Sequence, residues 1–505
     1  MRALLVTSVG VTCAAALTLP LAAPASSAPV LSAASARPPS LTTEPGTDTT
    51  DTSGTTAPDT TTTSDTTAPD GAEPRAAKSA AAPAGSTQSL PLAPLAVPSN
   101  RVAGAPAVQG LPQRDARPFS LVGVVWDDAE AELHGTVQVR TRATGTTRWS
   151  DWQDVETHNA DHAADLGSAE REGRTVRGAT APLWVGDSDG VEVRVRPESP
   201  AAPESQDRAA TPVPLPEGMR LELVDPGEDP APEPARGAPA NRAAVPAVFA
   251  DTPPTAALPE VLTAEIAAAS AVNAEVAELG ASVIPALTQA ETAESVNLAP
   301  GAKPYIGPRP RIVTRKGWGA DEKLRERNFG YTKSVKAAFV HHSATGNNYT
   351  CKQAPSVLRS IYRYHVKSSG WRDFGYNFAV DKCGKIYEGR AGGVTKAVLG
   401  AHTLGFNTNT MGIAVLGSYG STNPPAAAVT AVSKLTAWKL GLFGANPKGK
   451  VTLVSGGSNK YKKGVKVKMN VISGHRDGFA TECPGARLYK KLGTARTSSA
   501  KLQGR

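Results

Sequence analysis

The chain has 505 residues and a formal net charge of +8, a length that accommodates two or three domains. The charge is uneven, because residues 309–505 carry 34 Lys and Arg against 8 Asp and Glu, a net of +26, whereas the remainder has a net of −18. A basic C-terminal half favours an anionic partner: nucleic acid, a membrane surface or an anionic cell-wall polymer. The simpler alternative is a solubilising lysine surface, since residues 461–468 are typical of an exposed lysine-rich hairpin.

The N-terminus is typical of a secretory signal peptide. Arg2 precedes an apolar run at 3–23, and Ala23-Pro24-Ala25 supplies the small residues of a cleavage site. A retained membrane anchor is the alternative. We therefore predict a signal peptide at 1–25, a secreted protein and no membrane anchor after cleavage, because no later segment approaches the roughly 20 apolar residues that a membrane span needs.

Two stretches have the composition of unfolded spacers. Residues 26–115 are rich in Thr, Ala and Pro, and the pentapeptide at 55–59 is repeated at 66–70. Such a stretch has too little apolar surface to offset its ordering entropy, so we predict a disordered segment. Residues 227–306 return to Pro and Ala, and we predict a linker with one Ala-rich helix candidate at 258–279.

Residues 116–226 are predicted to form an antiparallel β domain. Short alternating or apolar segments are separated by Gly, Asp and Pro, at 119–126, 136–142, 191–196 and 219–224. Trp149 and Trp152 could form an exposed aromatic pair for sugar stacking. Packing in a core or turn is the more ordinary alternative for such tryptophans.

Residues 307–492 read as a second domain of α/β class. Strand candidates lie at 337–341, 377–381, 385–388, 411–416 and 471–472, and helix candidates at 355–366 and 426–442. Strands interleaved with helices predict an α/β sandwich. Residues 493–505 are expected to be a basic tail.

A set of candidate metal ligands lies in this domain. His475 and Cys483 are eight positions apart, and His341 and His342 end an apolar strand candidate. Two His and one Cys suit zinc, and three protein ligands leave a fourth tetrahedral position for water, as in catalytic sites. Strand alternation sends His341 and His342 to opposite faces, so only one can readily ligate. A blue-copper site needs a nearby Met as well, and no His or Met follows Cys483.

The cysteines bear on the same site. Of 4 Cys in the chain, Cys351, Cys383 and Cys483 lie beyond the predicted signal peptide, and outside the cell thiols oxidise in pairs. We pair Cys351 with Cys383 and leave Cys483 for the metal. A bridge from Cys483 to either of the others would remove the site.

Five ordered blocks carry a family resemblance. They are Val340-His341-His342-Ser343-Ala344, Gly370-Trp371-Arg372-Asp373-Phe374-Gly375-Tyr376-Asn377-Phe378, Tyr387-Glu388-Gly389-Arg390, Gly400-Ala401-His402-Thr403-Leu404-Gly405-Phe406-Asn407 and Gly474-His475-Arg476 followed by Cys483-Pro484-Gly485. Over about residues 307–492 the chain resembles the peptidoglycan recognition protein and type 2 N-acetylmuramoyl-L-alanine amidase family. The resemblance implies a central mixed β-sheet flanked by helices, and hydrolysis of the amide between the lactyl group of N-acetylmuramic acid and L-alanine.

The resemblance also assigns roles to individual residues. The zinc ligands fall on His341, His475 and Cys483. Tyr376 matches the catalytic tyrosine, and Thr481 takes the position of a second contact to the reacting centre. The alternatives are a packed strand aromatic for Tyr376 and a helix or turn cap for Thr481.

Three further positions match residues that line the family's substrate groove: His365, His402 and Asn407. Packing or support of the site is the alternative for His402 and Asn407. Some relatives carry a glutamate as general base on a central strand, where this chain has Gly412-Ile413-Ala414. The proton is then expected to pass through Tyr376 or directly to the substrate amine.

The resulting hypothesis is a secreted, monomeric, Zn²⁺-dependent amidase that acts on peptidoglycan, with anionic wall polymers as a second candidate partner. The signal peptide and the missing nucleic-acid motifs argue against a nucleic-acid partner. A non-catalytic peptidoglycan-binding module is the alternative. Family members that only bind typically lose the Cys ligand, whereas Cys483, Tyr376 and Thr481 are all present.

Overall fold

The structure is a computed structural model that describes residues 85–95, 108–157, 162–198, 213–230, 262–296 and 304–505. The predicted signal peptide and residues 26–84 of the predicted spacer lie outside these ranges. Within them, none of the helices has both the length and the apolar character needed to cross a membrane. The predicted class is confirmed: an antiparallel β domain precedes a mixed sheet flanked by helices.

The N-terminal domain is an eight-stranded antiparallel sheet. Its strands are β1 (Thr87–Pro91), β2 (Ala93–Pro94), β3 (Gln109–Trp126), β4 (Gly135–Ala143), β5 (Gln153–Val155), β6 (Gly178–Ala179), β7 (Leu183–Pro197) and β8 (Arg220–Val224). Their order is β1-β8-β3-β7-β4-β5, and β2 and β6 also pair with β3. Alternate valines of β7 (Val191, Val193 and Val195) are fully buried, as expected for a sheet with one face on the core.

This domain begins earlier than the boundary predicted at residue 116. β1 pairs with β8 along its whole length, and β3 starts at Gln109. The expectation of disorder over 26–115 is therefore wrong for these strands. The short segment 87–91 carries little apolar surface of its own and is stabilised by its partner strand, which local composition does not reveal.

Trp149 and Trp152 are half-buried beside arginines of the same sheet. The guanidinium carbon of Arg194 lies 3.9 Å from the ring centroid of Trp152, and that of Arg140 lies 5.1 Å from it. The two tryptophans thus pack against arginines through cation–π contacts, in agreement with the alternative that they serve packing.

The C-terminal domain is built on a seven-stranded mixed sheet. In sheet order its strands are β17 (Ile472–Gly474), β11 (Ala337–His342), β14 (Thr410–Val415), β12 (Phe378–Val380), β13 (Ile386–Glu388), β10 (Ile312–Val313) and β9 (Val283–Ile284). β15 (Lys450–Val454) and β16 (Lys466–Asn470) form a separate hairpin. The helices are α1 (Ala264–Ala271), α2 (Gln289–Glu294), α3 (Arg315–Trp318), α4 (Ala354–Arg363), α5 (Ala426–Gly441) and α6 (Ala486–Leu502).

Helices cover both faces of the central strands. On β14, Ile413 and Val415 belong to the core formed with α5 and α6, whereas Ala414 belongs to the core formed with α4. This division follows from the period of two along a strand. Because both faces of the sheet are covered, the sequence of β14 is a nearly continuous run of apolar residues.

Two predicted boundaries of the domain are corrected. Residues 227–306 are not only linker, because β9 pairs with β10 and extends the sheet to Val283. The expected basic tail at 493–505 is also wrong, since α6 continues to Leu502. Its last turns pack through small residues, with Ser499 Oγ 2.6 Å from Thr436 Oγ1, so they lack the large apolar stripe that marks a buried helix.

Cys351 and Cys383 form a disulfide that joins the segment before α4 to the β12–β13 turn. Cys483 is buried and is not part of a disulfide.

The two domains share one apolar core. Leu121, Val125 and Trp184 of the β domain lie in the same buried cluster as Leu358 and Ile361 of α4. Such an apolar interface holds the β domain in a fixed position against the C-terminal domain. The position of the β domain in turn sets the position of the connection between its strands β5 and β6.

Candidate metal centre

The strand β11 presents one histidine to each side of the sheet. His341 is fully buried and lies 3.8 Å, by its Nδ1, from Cys483 Sγ. His342 points away, with its Nε2 3.3 Å from a carboxylate oxygen of Glu156. The alternation expected for a strand therefore places His341, and not His342, beside the other candidate ligands.

A short loop brings His475 and Cys483 together. His475 begins a 3₁₀ turn directly after β17. The backbone N–H of Arg476 donates to Cys483 O at 3.0 Å, which folds the loop back on itself. Thr481 Oγ1 accepts a hydrogen bond from the backbone N–H of Cys483 at 3.2 Å. Thr481 thus caps a turn, as the alternative to a catalytic role predicts. It also lies in the loop that joins His475 to Cys483.

Four buried side chains converge where three were expected. His162, His341, His475 and Cys483 each offer one ligand atom, and these atoms all lie within 4.8 Å of one another. Tetrahedral zinc, with Zn–S of about 2.3 Å and Zn–N of about 2.0–2.1 Å, separates sulfur and nitrogen ligands by about 3.6 Å. Cys483 Sγ lies 3.6 Å from His162 Nε2 and 3.8 Å from His341 Nδ1. The cluster fits a zinc ion in spacing and in chemistry.

His162 is the member of this cluster that sequence reasoning missed. It lies between β5 and β6 of the N-terminal domain, outside the part of the chain that carries the family resemblance. One signal was available, because two of the 8 His in the chain, His158 and His162, fall within five residues. His158 lies outside the described residues.

The surroundings of His341 favour the neutral ring that can bind a metal. Burial lowers the pKa of His341 well below its usual range, and the neighbouring rings of His475 and His162 add to the effect. Thr403 Oγ1 lies 3.4 Å from His341 Nε2 and 3.0 Å from His402 Nδ1. We assign the His341 proton to Nε2, facing this hydroxyl, so Nδ1 carries the lone pair toward Cys483.

Tyr376 lies at the edge of the cluster. It is 4% exposed, and its ring centroid is 5.3 Å from that of His341 and 5.8 Å from that of His162. Its position beside the candidate ligands is compatible with a hydroxyl that acts on a group bound there.

The three predicted groove residues surround the same cluster and are buried. His365 stacks on Trp371 at 4.4 Å and lies in the turn after α4. The His402 ring is 5.4 Å from that of His341. Asn407 Oδ1 accepts hydrogen bonds from the backbone N–H groups of His402 and Thr403, at 2.7 and 3.0 Å. Its amide nitrogen donates to the N-terminal domain.

The strand on which some relatives carry a glutamate as general base is β14. Ala414 of β14 pairs with His341 in the parallel register of the sheet. A glutamate there would stand beside the cluster, and this chain has a methyl group instead. The described part of this strand therefore supplies no carboxylate to the site.

Comparison with known proteins gives two family matches. Residues 71–214 match a family described as Rv3811 N-terminal galactose-binding domain-like. Residues 331–486 match a family described as N-acetylmuramoyl-L-alanine amidase. The second match contains His341, His475, Cys483 and Tyr376, and the first contains His162.

Individual relatives match the C-terminal part of the chain. Peptidoglycan-recognition protein SC2 of Drosophila simulans is 30% identical over 185 residues, which are 36% of this chain and 85% of the relative. The N-acetylmuramoyl-L-alanine amidase of Homo sapiens is 30% identical over 194 residues, 37% of this chain and 28% of that protein. Among solved structures, wild-type Drosophila PGRP-LB is 25% identical, with 36% of this chain and 92% of that chain covered at a TM-score of 0.29.

Proposed function

The chain belongs to the peptidoglycan-recognition protein and N-acetylmuramoyl-L-alanine amidase family, and from this premise we propose that it is a secreted, zinc-dependent N-acetylmuramoyl-L-alanine amidase. The substrate would be the amide between the lactyl group of peptidoglycan and L-alanine. The observation that carries the proposal is the convergence of His341, His475 and Cys483, with ligand atoms within 4.8 Å of one another.

The chain's own residues would divide the work as follows. His341, His475 and Cys483 would hold the zinc, and Thr403, beside His341 Nε2, would keep the Nδ1 of that ring toward Cys483. When bound, zinc supplies a Lewis acid that polarises a carbonyl group and activates water. The Tyr376 hydroxyl, at the edge of the cluster, donates a hydrogen bond to the oxygen on which negative charge develops.

Proton transfer requires a group other than a glutamate on β14. Because Ala414 occupies that position, the proton from water would pass to the departing amine of L-alanine, either through the Tyr376 hydroxyl or directly. The buried cluster excludes bulk water, which strengthens each of these electrostatic contacts.

A non-catalytic module that only binds peptidoglycan is the competing function. Such a module has no requirement for a buried thiol. Cys483 is fully buried, outside any disulfide and 3.8 Å from His341 Nδ1. Its sulfur lies among imidazole nitrogens, and a set of His and Cys ligands at this spacing is typical of zinc sites, which supports a metal-dependent enzyme.

Anionic wall polymers are proposed as a second partner. The lysines Lys462, Lys463, Lys466 and Lys468 are exposed on and beside β16. Clustered exposed charge of one sign attracts a polyanion and concentrates the enzyme near it. Binding to the wall should therefore weaken as salt is added.

Product analysis tests the proposal. Purified peptidoglycan is incubated with the zinc-loaded protein, and the released fragments are identified by mass. We expect stem peptides with free L-alanine amino termini, no release after chelation, and recovery when zinc is restored. The matched control is Cys483→Ser, which should stay folded and release nothing. Wall binding without cleavage by the zinc-loaded protein would support the recognition module instead.

A further inference from the structure

We propose that His162 is a fourth protein ligand of the metal, and that the segment which carries it holds the amidase in a latent state. This segment, residues 162–177, is called the covering segment below. The proposal rests on the proposed amidase function for its second half only. The ligand assignment depends on the geometry of the cluster alone.

The position of His162 is that of a ligand. Its Nε2 lies 3.6 Å from Cys483 Sγ, the separation of about 3.6 Å that tetrahedral zinc imposes between nitrogen and sulfur ligands. Its ring centroid is 4.4 Å from that of His475 and 5.1 Å from that of His341. The residue is 4% exposed. His162 therefore lies where the open, water-binding position of a three-ligand catalytic site is expected.

The covering segment also accepts the hydrogen bonds of Asn407, a residue of the predicted substrate groove. Asn407 Nδ2 donates hydrogen bonds to Ala163 O at 2.9 Å and to Asp165 Oδ1 at 2.7 Å. The same carboxylate oxygen accepts a hydrogen bond from Gly405 N at 2.7 Å. A substrate that used Asn407 would have to displace this contact.

Ion pairs also join the covering segment to the C-terminal domain at positions after Asp165. The guanidinium of Arg390 pairs with Glu170 at 2.7 Å, and both side chains are at most 10% exposed. Arg174 pairs with Glu326 at 2.5 Å and donates to Trp371 O at 2.8 Å. The contact of Arg174 with Glu326 is also a charge-assisted hydrogen bond, which is stronger than a neutral one, so ion pairs hold the segment at two points.

The C-terminal domain is shaped to accept the segment. Gly370 has φ of +78°, and a Cβ added there would lie 2.2 Å from Thr175 O. Any other residue would strain the backbone and clash with the covering segment. The close approach at Gly370, the ion pairs and the position of His162 together indicate a specific contact between the covering segment and the C-terminal domain. Four protein ligands leave no position for water, so the covered state is latent, and catalysis requires His162 to withdraw.

Cobalt substitution tests the ligand assignment without measuring activity. The full-length protein is loaded with Co²⁺, and the hyperfine-shifted, exchangeable imidazole N–H protons are counted by NMR. We expect three in the wild type, two in His162→Ala, and three in His134→Ala, a control at a partly exposed histidine of the same domain. Two signals in the wild type would overturn the assignment, and this result does not depend on the folding of any variant.

Thiocyanate gives a second readout of the same site. An anion can enter the cobalt coordination sphere only where a position is open. We expect the visible spectrum of the wild type to stay unchanged and that of His162→Ala to shift. A wild-type spectrum that shifts as the variant does would contradict a four-ligand site.

Latency is tested on the variant His162→Ala/Asp165→Ala. We expect amidase activity at least about tenfold above wild type, because a covered state populated at 90% or more lowers apparent activity by that factor. Three imidazole signals in the wild type, together with activity of this double variant equal to that of the wild type, would overturn latency and leave the ligand assignment standing. No cleavage by any variant would instead overturn the amidase function.

Discussion

Nε2 of His162 lies 3.6 Å from Sγ of Cys483, although 321 residues separate them in the chain. One residue belongs to the N-terminal β domain and the other to the loop after β17. Their proximity means that the candidate centre is completed by both domains, and that the β domain is part of the site. The following predictions concern the centre, its support and the stability of the scaffold around it.

Thr403 should tune the affinity of the site for zinc. In Thr403→Val the hydroxyl that faces His341 Nε2 is lost, so the ring is no longer held with Nδ1 toward the metal. Removal of such a partner typically lowers metal affinity by about 10–100-fold. Competition with a chromophoric chelator measures this. Thr436→Val, which removes a buried hydroxyl on α5, is the control and should bind zinc as the wild type does. Equal affinity in Thr403→Val would argue against this role.

Tyr376 should affect turnover and not metal content. Tyr376→Phe removes the hydroxyl proposed to stabilise the developing oxyanion, and loss of one such donor costs about 10²–10³-fold in kcat. Zinc stoichiometry should stay the same. The measurement is kcat on soluble peptidoglycan fragments, together with metal analysis of each protein.

Tyr349→Phe provides the control for Tyr376→Phe. Tyr349 is another buried tyrosine, with its hydroxyl 2.8 Å from Lys382 N, and its substitution should leave kcat near wild type. If Tyr376→Phe retained full kcat, the proton and the oxyanion would have to be handled by other groups.

Glu388 should make the stability of the fold depend on pH. Burial raises the pKa of Glu388 from 4.5 to about 7, although Asn273 Nδ2 donates to its carboxylate at 2.8 Å. Between these two values the folded state keeps the proton and the unfolded state has lost it. The contribution of Glu388 to the free energy of unfolding therefore falls as pH rises, by about 3 kcal/mol in total.

Glu388→Gln removes this titration. The free energy of unfolding of the variant minus that of the wild type should rise by about 3 kcal/mol between pH 4 and pH 8, and any constant cost of the substitution cancels in this difference. Urea unfolding of the metal-free proteins measures it. Glu294→Gln, at an exposed position of α2, should show no such change. A flat difference for Glu388→Gln would mean that Glu388 has the same pKa in the folded and unfolded states.

The disulfide should stabilise the C-terminal domain substantially. Cys351 and Cys383 are 32 positions apart, and closing a loop of that length is worth about 3–4 kcal/mol in the chain-entropy model. The variant Cys351→Ser/Cys383→Ser should therefore unfold at lower urea concentration. A reductant should shift the unfolding midpoint of the wild type and leave that of the variant in place. Identical midpoints for the two proteins would refute the estimate.

Local patterns predicted the elements that bury their own apolar residues. β11 and β14 are nearly continuous apolar runs and α5 carries apolar residues at helical spacing, so the sequence alone predicts these three elements. β9 and the end of α6 do not have this property. Val283 and Ile284 are a two-residue strand within Pro- and Ala-rich sequence, and α6 packs its end through Ser499 and Ala500.

The candidate site divides in the same way. His341, His475 and Cys483 could be predicted together because the family resemblance joins segments that lie apart in the chain. His162 could not, because the nearby His158 is its only local signal and its position beside the other three depends on how the two domains pack. The shared core around Leu121 and Ile361 is a tertiary property that no periodicity reveals.

Digestion of purified peptidoglycan, with the products identified by mass, tests the amidase assignment most directly. The proteins compared are the zinc-loaded wild type, His162→Ala/Asp165→Ala and Cys483→Ser. We predict free L-alanine amino termini and intact lactyl groups from the first two, more from the double variant, and none from Cys483→Ser or after chelation. Cleavage at another bond, cleavage that persists in Cys483→Ser, or none by any of the three would contradict the account.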